Sequence, residues 1–259
     1  MNHQKQITVL VEFAYQGHLF HGLAIQPDVP TVGGALKYRL AEVFAEPPRA
    51  LTFAARTDAG VSAEQNFATF RVTQREAIQV QLGALVQETQ IDGLRVLSAR
   101  TVSPKTNART SACAKSYRYE IQDGVAQPDP RERPWQIYPV LDERRMLQAA
   151  QAILGEHDFS AFRAAGCSAK TTVRVLHSLS ITREGDRVRL DFEGNGFLRK
   201  MVRILSGTLA EVGAQLREPD EISALLLSRS RPLAGFTAPA RGLTLRKVSL
   251  VELPTDKRS

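Results

Sequence analysis

Cysteine is nearly missing: Cys113 and Cys167 are the only two in 259 residues. They are far apart and form no C-x-x-C spacing, so neither a disulfide framework nor a cysteine zinc site is expected, and the pattern fits a reducing compartment. Long apolar runs are missing too, none approaching the roughly 20 residues that cross a bilayer. The opening MNHQKQITVLVEF lacks the layout of a secretion signal. A cytoplasmic location is therefore expected. The chain has no G-x-S-x-G elbow and no glycine-rich phosphate loop. His18 and His21 stand three apart without a further ligand set, so no metal is expected. Glu64 is the one acid near Asp58 in sequence, and its spacing does not suggest a glycosidase-like carboxylate pair.

What is present fits a folded protein of one large or two ordinary domains: 43% hydrophobic and 24% charged residues, with a net charge of +7. A basic balance favours a polyanionic partner. Its distribution says more. Gly93 to Tyr119 holds Arg95, Arg100, Lys105, Arg109, Lys115 and Arg118 with no acid. Phe159 to Thr182 holds Arg163, Lys170 and Arg174, and Gly196 to Ala210 holds Arg199, Lys200 and Arg203, again without an acid. Such stretches suit phosphate contacts, or they are solvated faces whose acids lie elsewhere in the chain.

Periodicity organises the chain into two rounds. In the first, ITVLVEFAY reads as a strand. Thr31 caps a helix to about Ala45, ended by Pro47-Pro48. ALTFAA and NFATFRV are strands, Arg75 to Gln87 a helix, and LRVLSARTV a strand. This order is that of a split β-α-β sheet. The second round begins with SYRYEI, which sets Tyr117, Tyr119 and Ile121 on one face. It continues with a helix from Asp142 to Leu154, a hairpin around REGD, and helices over Phe197 to Gln215 and Glu218 to Ser228. LTLRKVSLVEL closes it as a strand. The expected fold class is α+β, with two similar halves, residues 1–106 and 107–259. In the long helix, Phe197, Met201, Ile204, Leu205, Thr208 and Val212 share a stripe, and Arg199 and Arg203 fall opposite. That opposite face is either solvated or turned to a ligand.

Asp58 follows a strand, and Gly60 permits a sharp turn after it. The carboxylate is either a turn-former satisfying backbone groups or a reactive group at a strand end.

Several separated motifs, in order, cover nearly the whole chain: RTDAGV (Arg56 to Val61), ARTSACAKSYRYEI (Ala108 to Ile121), HDFSAFRAAGCSAKTTVR (His157 to Arg174), GNGFLRKMVRILSGTLAEVG (Gly194 to Gly213) and RPLAGFTAPARGLTLRKV (Arg231 to Val248). Together they resemble the bacterial tRNA pseudouridine synthase A family. The resemblance implies two RRM-like halves, each an antiparallel sheet with helices on one face, flanking a basic cleft. It also implies a homodimer without a cofactor that acts on uridines 38 to 40 of the tRNA anticodon stem-loop. By residue, it implies Asp58 as the catalytic aspartate and Arg56 as a holder of the displaced nucleotide. Tyr117 would stack on the target base, and Arg203 would partner the Asp58 carboxylate.

The chemistry is consistent with these residue types. Isomerising uridine breaks an N–C bond and forms a C–C bond to the same sugar, with no redox step. A carboxylate serves as nucleophile or as base, and an arginine favours its charged form. The chain departs from the family pattern at Gln16 (usually Asp), Ala24 (Gln), Gly33 (Gln) and Ser62 (His), and it lacks the Asn-x-x-Leu-Pro segment. These positions bear on RNA contact and support. Two other readings share the same residues: a non-catalytic tRNA-binding protein or chaperone, and a synthase with a shifted RNA target.

Overall fold

The structure is a computed structural model that describes residues 6–73, 78–88, 90–129 and 131–252. In chain order its elements are β1 (Gln6–Tyr15), α1 (Val32–Phe44), β2 (Arg49–Phe53), β3 (Ser62–Thr73), α2 (Ile78–Glu88), β4 (Gln90–Ile91), β5 (Leu94–Val102), α3 (Ala108–Ser111) and β6 (Ala112–Gln122). Then come β7 (Trp135–Gln136), α4 (Glu143–Gln151), β8 (Gly155–Asp158), β9 (Val173–Glu184), β10 (Arg187–Gly194), α5 (Met201–Gly213), α6 (Glu221–Ser228) and β11 (Leu243–Leu250). The fold class is α+β. The chain forms two compact units: the first runs to Cys113 and takes the chain back from Leu245, and the second is Ala114–Thr244. The sequence boundary at 106/107 leaves the last strand with the second half; in the structure its residues from Leu245 pack with the first. There Val248 donates its N–H to the Gln65 side chain (3.2 Å).

The first unit has the strand order β5-β1-β3-β2, with β4 outside β5 and β11 beside β3. Alternation explains which face is covered. Val9, Val11 and Phe13 of β1 pair with Phe70, Ala68 and Asn66 of β3. All six are buried, and they share one face because strand side chains alternate. Phe44 of α1 meets Phe70 edge-on at 5.6 Å. The Thr31 hydroxyl caps α1 by accepting from the Gly34 N–H (3.1 Å). The expected helix from Arg75 starts at Ile78 in the described residues; Arg75 to Ala77 lie outside them.

In the second unit β10 lies antiparallel between β6 and β9. The β9–β10 hairpin turns through Gly185 at φ +62° and Asp186, as REGD leads one to expect. Asp142 caps α4 by accepting from the N–H groups of Arg144 (2.9 Å) and Arg145 (3.2 Å). Two helices start later than the sequence suggests. α5 begins at Met201, not Phe197, because Lys200 before it takes the left-handed conformation at φ 60°, which breaks a helix. α6 begins at Glu221, not Glu218, whose own N–H goes to the Glu221 side chain (2.9 Å). No helix among the described residues is long and apolar enough to cross a membrane.

Of the two readings for the side of α5 opposite its apolar stripe, the solvated one does not hold. Every residue of α5 is buried except Arg203 and Glu211, which are half-buried. The segment Gly235 to Ala238 lies along that face. Ala238 gives its N–H to the Arg203 carbonyl (3.1 Å), and Arg203 Nε donates to the Ala238 carbonyl (2.7 Å). Gly235 donates to the Thr208 hydroxyl (3.1 Å) and Phe236 to the Glu211 carboxylate (3.2 Å). A Cβ on Gly207 would overlap the Phe236 carbonyl, so glycine is what admits the strap.

Candidate active site

Arg56 and Asp58 stand in the first unit, on the irregular link between β2 and β3. Arg56 is exposed and Asp58 half-buried. The link turns back at Gly60, with φ +80°, and the Val61 N–H closes it on the Asp58 carbonyl (3.2 Å).

Outside regular structure, backbone polar groups need other partners, and here two sources supply them. The first is Asn66, which is fully buried. Its Oδ1 accepts from the Ala55 N–H (3.2 Å) and the Phe67 N–H (2.9 Å), and its Nδ2 donates to the Ala55 carbonyl (2.9 Å). The second is the loop after β1. Leu23 donates to the Thr57 carbonyl (3.2 Å), and the Phe20 carbonyl accepts from Gly60 (3.4 Å). Gly17 donates to the Ser62 hydroxyl (3.0 Å). At Gly22, φ is +93° and a Cβ would lie 3.1 Å from the Ala59 nitrogen, so a residue with a side chain there would strain the approach of loop to turn. Tyr15 adds a side-chain bond, 2.7 Å from its hydroxyl to the Thr57 hydroxyl.

The departures from the family pattern fall in this region as two pairs. Ser62 meets Gly17, next to Gln16. Gly33, in the first turn of α1, donates to the Leu23 carbonyl (3.0 Å), next to Ala24. A Cβ on Gly33 would sit 2.6 Å from that carbonyl oxygen, so the loop and the glycine fit each other.

Tyr117 and Arg203 stand in the second unit. Tyr117 pairs with Phe192 across β6 and β10 and is 7% exposed. Its ring meets that of Phe197 edge-on at 5.2 Å. Tyr119 and Ile121 are buried on the same face, as the alternation implies. Arg203 lies in the first turn of α5, with Nε on the Ala238 carbonyl.

Two basic stretches that are remote in sequence meet in this unit. Ala164 donates to the Arg199 carbonyl (3.1 Å), and Arg199 Nη1 donates to the carbonyls of Ala165 (3.1 Å) and Gly166 (3.4 Å). The Cys167 thiol accepts from the Arg199 N–H (3.5 Å). Burial opposes ionisation of this thiol. The N–H groups of Arg199 and Ala169 and the charges of Arg163 and Arg174 outweigh it, and its pKa falls below the ordinary value. One of the candidate phosphate-binding arginines is already engaged: Arg118 holds Asp191 through Nε (2.8 Å) and Nη2 (3.1 Å).

Sequence reasoning missed Tyr15, Thr57 and Asn66. No local pattern marks them, because their partners lie up to 42 residues away. Among the described residues no group of three or more His, Cys, Asp or Glu could hold a metal ion.

A family model described as tRNA pseudouridine synthase matches residues 149–249. Among curated proteins, tRNA pseudouridine synthase A of Geotalea uraniireducens is 39% identical over 94% of this chain and 99% of its own length. The protein of that name from Pelobacter propionicus is 37% identical over 93% and 99%, and that from Syntrophotalea carbinolica 39% over 94% and 95%. The chain belongs to the tRNA pseudouridine synthase A family. Among solved structures, that of a Cbf5-Nop10-Gar1 complex aligns with 89% of this chain and 50% of that one, at 13% identity and a TM-score of 0.37, a likeness that says nothing of activity.

Proposed function

We propose that this protein isomerises uridine to pseudouridine in the anticodon stem-loop of tRNA, at positions 38 to 40, as a cytoplasmic homodimer without a cofactor. One observation carries the reading: in a chain of this family, Arg56 and Asp58 sit on a turn held by buried partners. Such a turn keeps a carboxylate and an arginine in fixed directions, which positioning catalysis requires.

Asp58 attacks the sugar or removes a proton from it. The bond from the sugar C1′ to N1 breaks, the base turns, and C1′ bonds to C5. The hydrogen on C5 leaves to water and N1 gains one, so atoms and electrons balance with no oxidant. Arg203 takes the role that the family resemblance implies for it, a cationic partner of the reacting group. Flipping the nucleotide costs a few kcal/mol, and stacking on Tyr117 offsets about 1–3 kcal/mol of that. Arg56 presents a planar guanidinium to the displaced nucleotide. The basic stretches hold the backbone without reading sequence.

The test uses tRNA tritiated at uridine C5. The purified protein is expected to release tritium to water, and to release none when uridines 38 to 40 are replaced by cytidine. Binding without release would support the non-catalytic reading instead. Release that persists on the substituted tRNA would place the target elsewhere in the RNA.

A further inference from the structure

Thr57 lies between the two charged residues of the turn and is tied on two sides. Its carbonyl accepts from Leu23 and its hydroxyl meets that of Tyr15. Tyr15 is 3% exposed. Either of the two hydroxyls can be the donor. Burial pushes the phenol far above its ordinary pKa, against hydrogen bonding to Thr57, so it keeps its proton. On the other side of Arg56, the buried Asn66 brackets Ala55. Asn66 and the Tyr15–Thr57 pair thus grip the residues on both sides of Arg56, the second of which also precedes Asp58.

We propose that Tyr15 and Thr57 form a positioning pair, whose part-buried hydrogen bond sets the directions in which Arg56 and Asp58 point. The pair touches no substrate and acts through the backbone of the turn. This rests on the reading of Asp58 as the reactive carboxylate.

The test is single-turnover tritium release with enzyme in excess, beside measurements of tRNA affinity and thermal unfolding. Tyr15→Phe removes one oxygen and keeps the ring; Thr57→Val removes the other and keeps the shape. Each is expected to slow release about 10- to 100-fold, the scale of a small misplacement of reacting groups, with tRNA affinity changed less than about twofold. The double variant is expected to be no slower than the slower single, since both remove one bond. Thr57→Ser, which restores the hydroxyl, is expected to recover most of the rate.

The proposal is overturned by wild-type rates in both single variants, by a loss that appears in affinity and not in rate, or by a loss that tracks the unfolded fraction. It is also overturned if Thr57→Ser is as slow as Thr57→Val. Asp58→Ala is run alongside. Wild-type release there removes the assignment of Asp58 itself. A silent Asp58→Ala with fast Tyr15→Phe and Thr57→Val removes only the positioning pair.

Discussion

The turn that carries Asp58 and the elements that carry Tyr117 and Arg203 are built by different means. Tyr117 lies within an eight-residue run of β6–β10 pairing, Lys115 to Gln122, and Arg203 within the 13-residue helix α5, where many repeated bonds share the load. The turn has no ladder. Its backbone is held by a few separate bonds from Asn66, Leu23 and Phe20, and its Thr57 side chain by Tyr15, each with its own geometry. A residue on a regular element tolerates the loss of one bond, whereas a residue on such a turn does not. The contrast predicts where function is fragile.

Removing the reactive group makes the largest change. Asp58→Ala is expected to cut single-turnover release by about 10³-fold or more, with tRNA affinity and melting temperature unchanged; tritium release and filter binding measure both. On the helix, Arg203→Lys keeps the charge and loses the planar fork. It is expected to lower the rate about 10- to 100-fold with little effect on thermal melting, since the rest of α5 is buried independently of it. A melting change as large as that of an emptied core position would break the comparison.

Asn66→Ala attacks the frame of the turn and leaves the backbone groups of Ala55 unpaired in the interior. It is expected to cost about 2–4 kcal/mol, from one or two buried groups left unsatisfied, read from urea unfolding. Asp191→Ala removes the carboxylate that Arg118 holds on the regular side, where both partners are about one-third exposed, and is expected to cost less than about 1 kcal/mol.

The smallest effect depends on pH. The Asp158 carboxyl is held below the ordinary range chiefly by the Ser160 hydroxyl. Burial opposes the shift, while Thr172, the Ser160 N–H and Arg229 add to it. A lowered folded pKa stabilises at pH above the unfolded value, near 3.9 for an aspartate. That contribution fades as pH falls through the folded value. Wild type is therefore expected to melt above Asp158→Asn at about pH 6 and to converge with it towards about pH 3. A gap that widens on acidification would contradict the assignment.

Much of this was legible in the residues. Thr31 and Asp142 cap helices because their oxygens match the first free N–H groups. Gly60 adopts the positive φ that its place after Asp58 suggests, and the alternation in SYRYEI put Tyr117, Tyr119 and Ile121 on one buried face. What was not legible depends on segments remote in sequence. The side of α5 opposite its apolar stripe, open in sequence to either solvent or a ligand, is covered by Gly235 to Ala238, which helical periodicity cannot show. The turn at Asp58 reads as a run of small residues; its partners Tyr15, Leu23 and Asn66 enter from a neighbouring strand end, a loop and the next strand. The departures at Gln16, Ala24, Gly33 and Ser62 look scattered in sequence, yet they fall in two pairs once the loop after β1 is folded: Ser62 bonds Gly17, next to Gln16, and Gly33 bonds Leu23, next to Ala24.

The central claim is that this turn delivers a carboxylate that remakes uridines in the anticodon arm. The most direct measurement maps pseudouridine in the tRNA of cells lacking the gene, complemented with either the wild-type chain or Asp58→Asn. The account predicts that modification at positions 38 to 40 is lost, returns with the wild type and does not return with Asp58→Asn. Modification that persists without the gene, or that Asp58→Asn restores, would contradict it.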